Sequence, residues 1–213
     1  MPPLSRRSAL AIALLMLGGA PVLAKPLPGD MTLGSAKAPI EVVEYASLSC
    51  PHCAHFNAEV FPGFKAKYVD TGKVRFVMRE FLTAPANVAA AGWLMARCAG
   101  PKRYFAVVDG VFRSQAEWGE GDVRGSLLKV AKANGLTEPQ FEACLKDPAG
   151  LKSLQDRVRR AVDVEKVDST PTIEINGQRM EGVPQSLAEL DEAIAAAAKP
   201  AGSKPARSKP GGR

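Results

Sequence analysis

"APIEVVEYASLSCPHC", residues 38–53, decides how the rest of the chain is read. In its first half, Ile40, Val42, Val43 and Tyr45 stand among small and acidic residues. That half reads as a buried strand ending near Ser47. The second half changes character. Pro51 suits the first position of a helix, where its missing N–H is no loss. Cys50 then sits where strand gives way to helix, with free backbone N–H groups and the positive helix end directed at its sulfur. A thiolate is stabilised there, so its pKa falls. His52, if cationic or donating to the sulfur, adds to the effect. Cys53 lies one turn further in, close enough to bond to Cys50 and more covered. A pair of this kind is stable when reduced, which makes its disulfide a strong oxidant.

Competing readings of the motif explain less. Both histidines of the chain, His52 and His55, lie within five residues of Cys50. A zinc knuckle, however, needs four ligands, usually as two close pairs, and no second pair exists. A purely structural staple across two intervening residues closes almost no loop. No metal and no cofactor is called for. His55 is read as a helix-face residue with no role in chemistry.

The compartment follows from the N-terminus. Arg6 and Arg7 precede a nine-residue apolar run, Ala9–Leu17, and small residues lead to Val22-Leu23-Ala24. Residues 1–24 read as a secretory signal peptide, since a membrane-spanning helix needs about 20 apolar residues. Ser5-Arg6-Arg7 partly resembles a twin-arginine signal, but Ala9 fits it poorly and the general secretory route is preferred. The formal charge of +6 invites a nucleic-acid reading that its placement opposes. Two positive residues fall in the leader and five in residues 199–213, leaving −1 for residues 25–198. That last stretch, "KPAGSKPARSKPGGR", reads as a disordered basic tail. Four cysteines in an exported chain imply disulfides, too few to replace a hydrophobic core.

After Cys53, apolar residues at Phe56, Val60, Phe64 and Tyr68 mark a helix that Pro62 should kink and Thr71-Gly72 should stop. "KVRFVMREF" reads as a second strand. Helices alone follow: "PANVAAAGWLMARC", "KRYFAVVDGVFRSQ", "DVRGSLLKVAKANG", "EPQFEACLK" behind a Thr137/Gln140 capping box, and a stripe from about Leu151 to Val167. Trp93 and Trp118 are read as packing residues, and Tyr45 as core. Strand character returns in "TPTIEINGQRMEGV", with Asn176-Gly177 as a hairpin turn, and a helix capped by Ser186 closes the body. The pattern is an α/β sheet domain, residues 25–82 and 167–198, interrupted by a helical insertion over 83–166.

The strand "VVEYASLS" before "CPHC", the helical insertion and a later "STPT" before a hairpin and helix closely resemble the DsbA-like thiol:disulfide oxidoreductases, which have a thioredoxin fold. The resemblance covers residues 30–198, and the Pro-His pair between the cysteines is one that such oxidases often carry. It implies that Cys50 attacks and forms the mixed disulfide while Cys53 leaves, with Pro51 and His52 tuning the pair. It further implies that Thr170-Pro171 is the cis-proline loop facing the disulfide and forming a substrate groove. Glu44 matches the acidic residue buried beneath the pair, with a role in proton handling for Cys53. Asn57 departs from the pattern, since some relatives carry an acidic residue there. Cys98 and Cys144, both in the helical block, are expected to form a structural disulfide, as in some relatives; a regulatory bridge is the alternative. The implied protein is a periplasmic oxidase acting on reduced exported proteins and reoxidised by a quinone-linked membrane partner resembling DsbB. Too little sequence precedes the first strand for a dimerisation domain or a trimer stalk, so a monomer is expected. An isomerase or reductase of the same fold, or a chaperone-like binding module, are the other readings.

Overall fold

A strand whose two faces are both covered is the centre of the structure. In the computed structural model, which describes residues 27–198, β2 (Ile40–Ala46) has all seven residues buried, the two glutamates included. Such a strand needs layers on both sides. It runs parallel to β3 (Val74–Glu80) and antiparallel to β4 (Thr172–Ile175). Two short antiparallel strands complete the sheet, β1 (Met31–Leu33) beside β3 and β5 (Gln178–Arg179) beside β4, giving the order β1-β3-β2-β4-β5. The Asn176-Gly177 turn has positive φ at both residues, 50° and 75°, as the hairpin requires. β1 was not expected: three half-exposed residues carry no periodic signal.

Alternate residues of β2 divide the interior. Val42 and Ala46 join the larger core with Phe56, Phe64, Phe76 and Trp93, while Val43 and Tyr45 join a smaller one with Val77, Ala161 and Val167. The connection from β2 to β3 is helical from Pro51 to Val69. It comprises α1 (Pro51–His55), a π segment, α2 (Phe61–Phe64) and a second π segment. Pro62 was expected to kink this helix, and the π turn shows how the chain absorbs it. The Phe61 N–H reaches back to the Phe56 carbonyl and starts a new turn, placing Pro62 where no N–H is needed.

The helical block lies between β3 and β4. It contains α3 (Ala86–Cys98), α4 (Tyr104–Ser114), a 3₁₀ segment (Gln115–Glu120), α5 (Val123–Ala133), α6 (Glu138–Leu145) and α7 (Pro148–Asp163). The Thr137/Gln140 capping box forms, and α8 (Leu187–Ala197) is capped by Ser186. The expected bounds of α7 were wrong at both ends, because caps rather than apolar residues set them. Asp147 accepts from Ala149 with Pro148 in the first turn, and Lys166, at φ 55°, turns the chain out before Val167. Trp93 is buried and donates to the Phe81 carbonyl; Trp118 is half-buried and donates to Ser114. The expected signal peptide, residues 1–24, and the expected basic tail, residues 199–213, lie outside the described residues.

Glu80, the last residue of β3, joins sheet to insertion. Its fully buried carboxylate meets Arg97 of α3 on one oxygen and Arg157 of α7 on the other, and the Tyr104 hydroxyl of α4 donates to it at 3.2 Å. Removing one partner of a buried ionic group strands the others' charge. The two arginines keep 25% and 22% side-chain exposure, which moderates that penalty. Glu80→Gln is expected to lower stability in urea unfolding by about 2–3 kcal/mol; a loss below about 0.5 kcal/mol, the range of ordinary surface changes, would contradict this account.

Candidate active site

The strand-to-helix junction forms as the sequence suggested. Cys50 caps α1 in an extended conformation, with Pro51 in the first turn, and only 7% of the residue is exposed. Its Sγ lies 3.3 Å from the Thr170 carbonyl, to which the thiol donates across 120 residues of sequence. The Thr170-Pro171 peptide is cis. Thr170 Oγ1 is buried without a partner, leaving it free to donate when the sulfur ionises. Cys50 and Cys53 are both free thiols, and Cys53 is fully buried.

The two sulfurs differ sharply in acidity. Donation from the Cys53 thiol lowers the Cys50 pKa most. Burial opposes it, while the Thr170 side chain and the backbone N–H groups of Cys53 and His52 add to the lowering, and the result is about 5. Cys53 moves the opposite way. Burial pushes it well above the ordinary thiol value, helped by its hydrogen bond to Cys50 and by the charges of Glu44 and Cys50. His52 contributes through its backbone. Its side chain is exposed, and among the described residues no hydrogen bond joins the imidazole to Cys50. His55 is also exposed.

Glu44 projects from β2 on the same face as Val42 and Ala46, toward α1. Burial raises its pKa to about 8, with a smaller contribution from Cys50, and Oε1 has no partner. Asn57 does not reach the cysteines. Its amide donates to Asp109 of α4 at 2.9 Å, so the carboxylate near this position comes from the insertion. Cys98 and Cys144 are disulfide-bonded with Cα atoms 6.0 Å apart, joining α3 to α6.

Sequence reasoning missed the hydroxyl cluster beneath Cys53. Ser47 Oγ accepts from the Thr83 backbone N–H at 3.0 Å and from the Thr83 hydroxyl at 2.9 Å. Ser49 donates to the Thr83 carbonyl at 3.0 Å. The Ser47 backbone in turn supports the Cys53 sulfur. Ser47 and Thr83 are 36 residues apart, and neither has a local pattern that points to the other.

A family model described as Thioredoxin matches residues 27–196. A Rickettsia bellii chain carrying a provisional name as a protein-disulfide oxidoreductase is 32% identical over 169 residues, 78% of this chain and 64% of that one. The chain spans between 53% and 64% of the length of five such Rickettsia relatives. Among solved structures, α-DsbA1 of Wolbachia pipientis superposes with a TM-score of 0.74 at 28% identity, covering 84% of this chain and 95% of that one. A structure titled protein-disulfide isomerase, from Novosphingobium aromaticivorans, reaches 0.68 at 25% identity, covering 79% and 96%.

The pKa shifts have signed consequences. Cys50 is depressed, so it stabilises the reduced fold fully above the ordinary thiol value of 9.0, and that contribution is lost as pH falls toward 5. Glu44 is raised, so its contribution is present below 4.5 and is lost as pH rises through 8. Two outcomes are expected from unfolding curves between pH 4.5 and 8.5. The reduced form gains on the oxidised form as pH rises, and Glu44→Gln loses less stability with rising pH than the unmodified chain. A reduced-minus-oxidised difference flat across this range would contradict the Cys50 assignment.

Proposed function

Since the chain belongs to the thioredoxin family, we propose that it is an extracytoplasmic thiol:disulfide oxidoreductase that introduces disulfides into exported proteins through Cys50 and Cys53. The observation that carries this reading is the placement of two adjoining thiols, Cys50 capping α1 against the Thr170 carbonyl and Cys53 fully buried one turn further in, which opposes their acidities. One is ionised from about pH 5 and the other is held protonated well beyond neutrality. Such a pair is stable as the dithiol and gives up its disulfide readily.

In the oxidising direction a client thiolate attacks Cys50 Sγ. The Cys50–Cys53 bond breaks, and Cys53 leaves as a thiolate and takes a proton. Glu44, still largely protonated at neutral pH and electrostatically coupled to Cys53, is the proposed donor. A second client thiolate then attacks the client sulfur of the mixed disulfide and expels Cys50, whose low pKa makes it a good leaving group. Two electrons pass to the pair, and the client gains one disulfide. Thr170 offers its backbone beside Cys50 for strand-like docking of an extended client. Reoxidation by a quinone-linked membrane protein resembling DsbB, action as a monomer, export to the periplasm by the N-terminal leader, and a structural role for the Cys98–Cys144 bridge complete the proposal. In the chain-entropy model a bridge closing a loop of 46 residues stabilises by about 4 kcal/mol.

The similarity to a Novosphingobium protein named a protein-disulfide isomerase favours isomerase action as the second reading. One assay separates the two, using a reduced client and a scrambled client in parallel. The oxidase proposal expects rapid oxidation of the first, little rearrangement of the second, and at least about a 100-fold loss of oxidation rate in Cys50→Ser. Cys53→Ser should accumulate a client mixed disulfide at Cys50. Preferential rescue of the scrambled client would assign the isomerase instead, and undiminished client folding by Cys50→Ser would leave only a binding module.

A further inference from the structure

The turn that presents Cys50 is held by the insertion as well as by the sheet. Within the turn, the Cys50 N–H bonds to the Ser47 carbonyl at 3.0 Å. The Leu48 side chain is fully buried against α3, so closely that a Cβ added at Gly92 would lie 2.8 Å from Leu48 Cδ1. The Leu48 carbonyl accepts from the side chain of Gln115 at 2.9 Å, and the Cys50 carbonyl accepts from the same Nε2 at 3.3 Å. Gln115 opens the 3₁₀ segment after α4 and lies 65 residues from Cys50. No other donor to the Leu48 carbonyl occurs among the described residues, so without Gln115 it would be buried and unpaired, a costly arrangement.

We propose that Gln115 is a positioning residue for the redox pair, its side-chain amide clamping the Leu48 and Cys50 carbonyls so that the Cys50 sulfur stays aligned with its thiolate-stabilising donors. The inference rests on the oxidoreductase reading above and adds a physical tie between insertion and redox centre. Two effects combine. The first is geometric, since fixing the Cys50 carbonyl fixes the rotation of the residue that carries the sulfur. That sulfur must meet the N–H groups of the first helical turn on one side and Thr170 on the other. The second is electrostatic. The Cys50 carbonyl is a negative dipole end on the same residue as the thiolate, and it already accepts from the Ala54 N–H at 3.1 Å. A second donor on that oxygen reduces its repulsion of a charge on the same residue. Among the described residues Gln115 makes no hydrogen bond to the Cys50 sulfur, so it acts through the Leu48 and Cys50 carbonyls.

The test compares Gln115→Met, which keeps length and removes the donor, with the isosteric Gln115→Glu, whose carboxylate cannot donate and faces two carbonyls. The Cys50 ionisation midpoint is read from thiolate absorbance, and the reduced-to-oxidised equilibrium is read against glutathione. Gln115→Met is expected to raise the midpoint and shift the equilibrium at least about threefold toward the disulfide, as loss of one hydrogen bond implies. Gln115→Glu is expected to shift both further. Glu117→Gln, an exposed change in the same 3₁₀ segment, should match the unmodified protein. Variants that lose thermal stability but titrate like the parent would overturn the proposal, leaving Gln115 as packing. In the unmodified protein, the Gln115 side-chain amide resonances should shift with the Cys50 midpoint. Resonances that ignore that midpoint overturn it too, even if both variants fail to fold. A parent whose Cys50 titrates near 9 would instead remove the oxidoreductase reading itself.

Discussion

A sulfur with only 7% of its residue exposed cannot hold a negative charge unless donors replace the water it has lost. The arrangement around Cys50 follows from that requirement. The helix begins at the cysteine, so two backbone N–H groups point at it. The second thiol is placed inside, where burial keeps it protonated and able to donate. The loop before β4 brings Thr170 against the opposite side, which is why residues 120 positions apart in the chain converge on one atom. Glu44 can stand beneath this group only as a largely neutral acid, since no partner satisfies its Oε1.

Much of this was legible in the residues because the signals are local. The β-run before Cys50, Pro51 after it, Thr137 with Gln140, Asn176 with Gly177 and Ser186 with Glu189 each describe a few bonds among near neighbours. Such bonds depend little on the rest of the fold. The parts that escaped are contacts between distant segments. Ser47 with Thr83, Glu80 with Arg97 and Arg157, and Gln115 with Leu48 and Cys50 join side chains that look unremarkable alone. A glutamate at the end of an Arg-flanked strand gives no sign that it will be buried between two guanidinium groups. β1 was missed for another reason: three residues pairing only on one edge need no hydrophobic period.

His52 illustrates how a residue type can suggest an effect that geometry delivers differently. The imidazole was expected to act on the sulfur, yet the backbone N–H of the same residue makes the contribution and the ring faces solvent. Asn57 makes the converse point. It departs from the resembled family's pattern, and its amide pairs with Asp109, a carboxylate supplied by α4. The insertion is therefore bound to the redox helix through Asn57, to β3 through Glu80 and to the redox turn through Gln115. Its own helices α3 and α6 are joined by the Cys98–Cys144 bridge.

An environment that stabilises the Cys50 thiolate favours the dithiol over the disulfide. Equilibration of the pair against reduced and oxidised glutathione measures that preference directly. A midpoint more oxidising than about −200 mV is expected. A midpoint near about −270 mV, the range of a reducing thioredoxin, would contradict it.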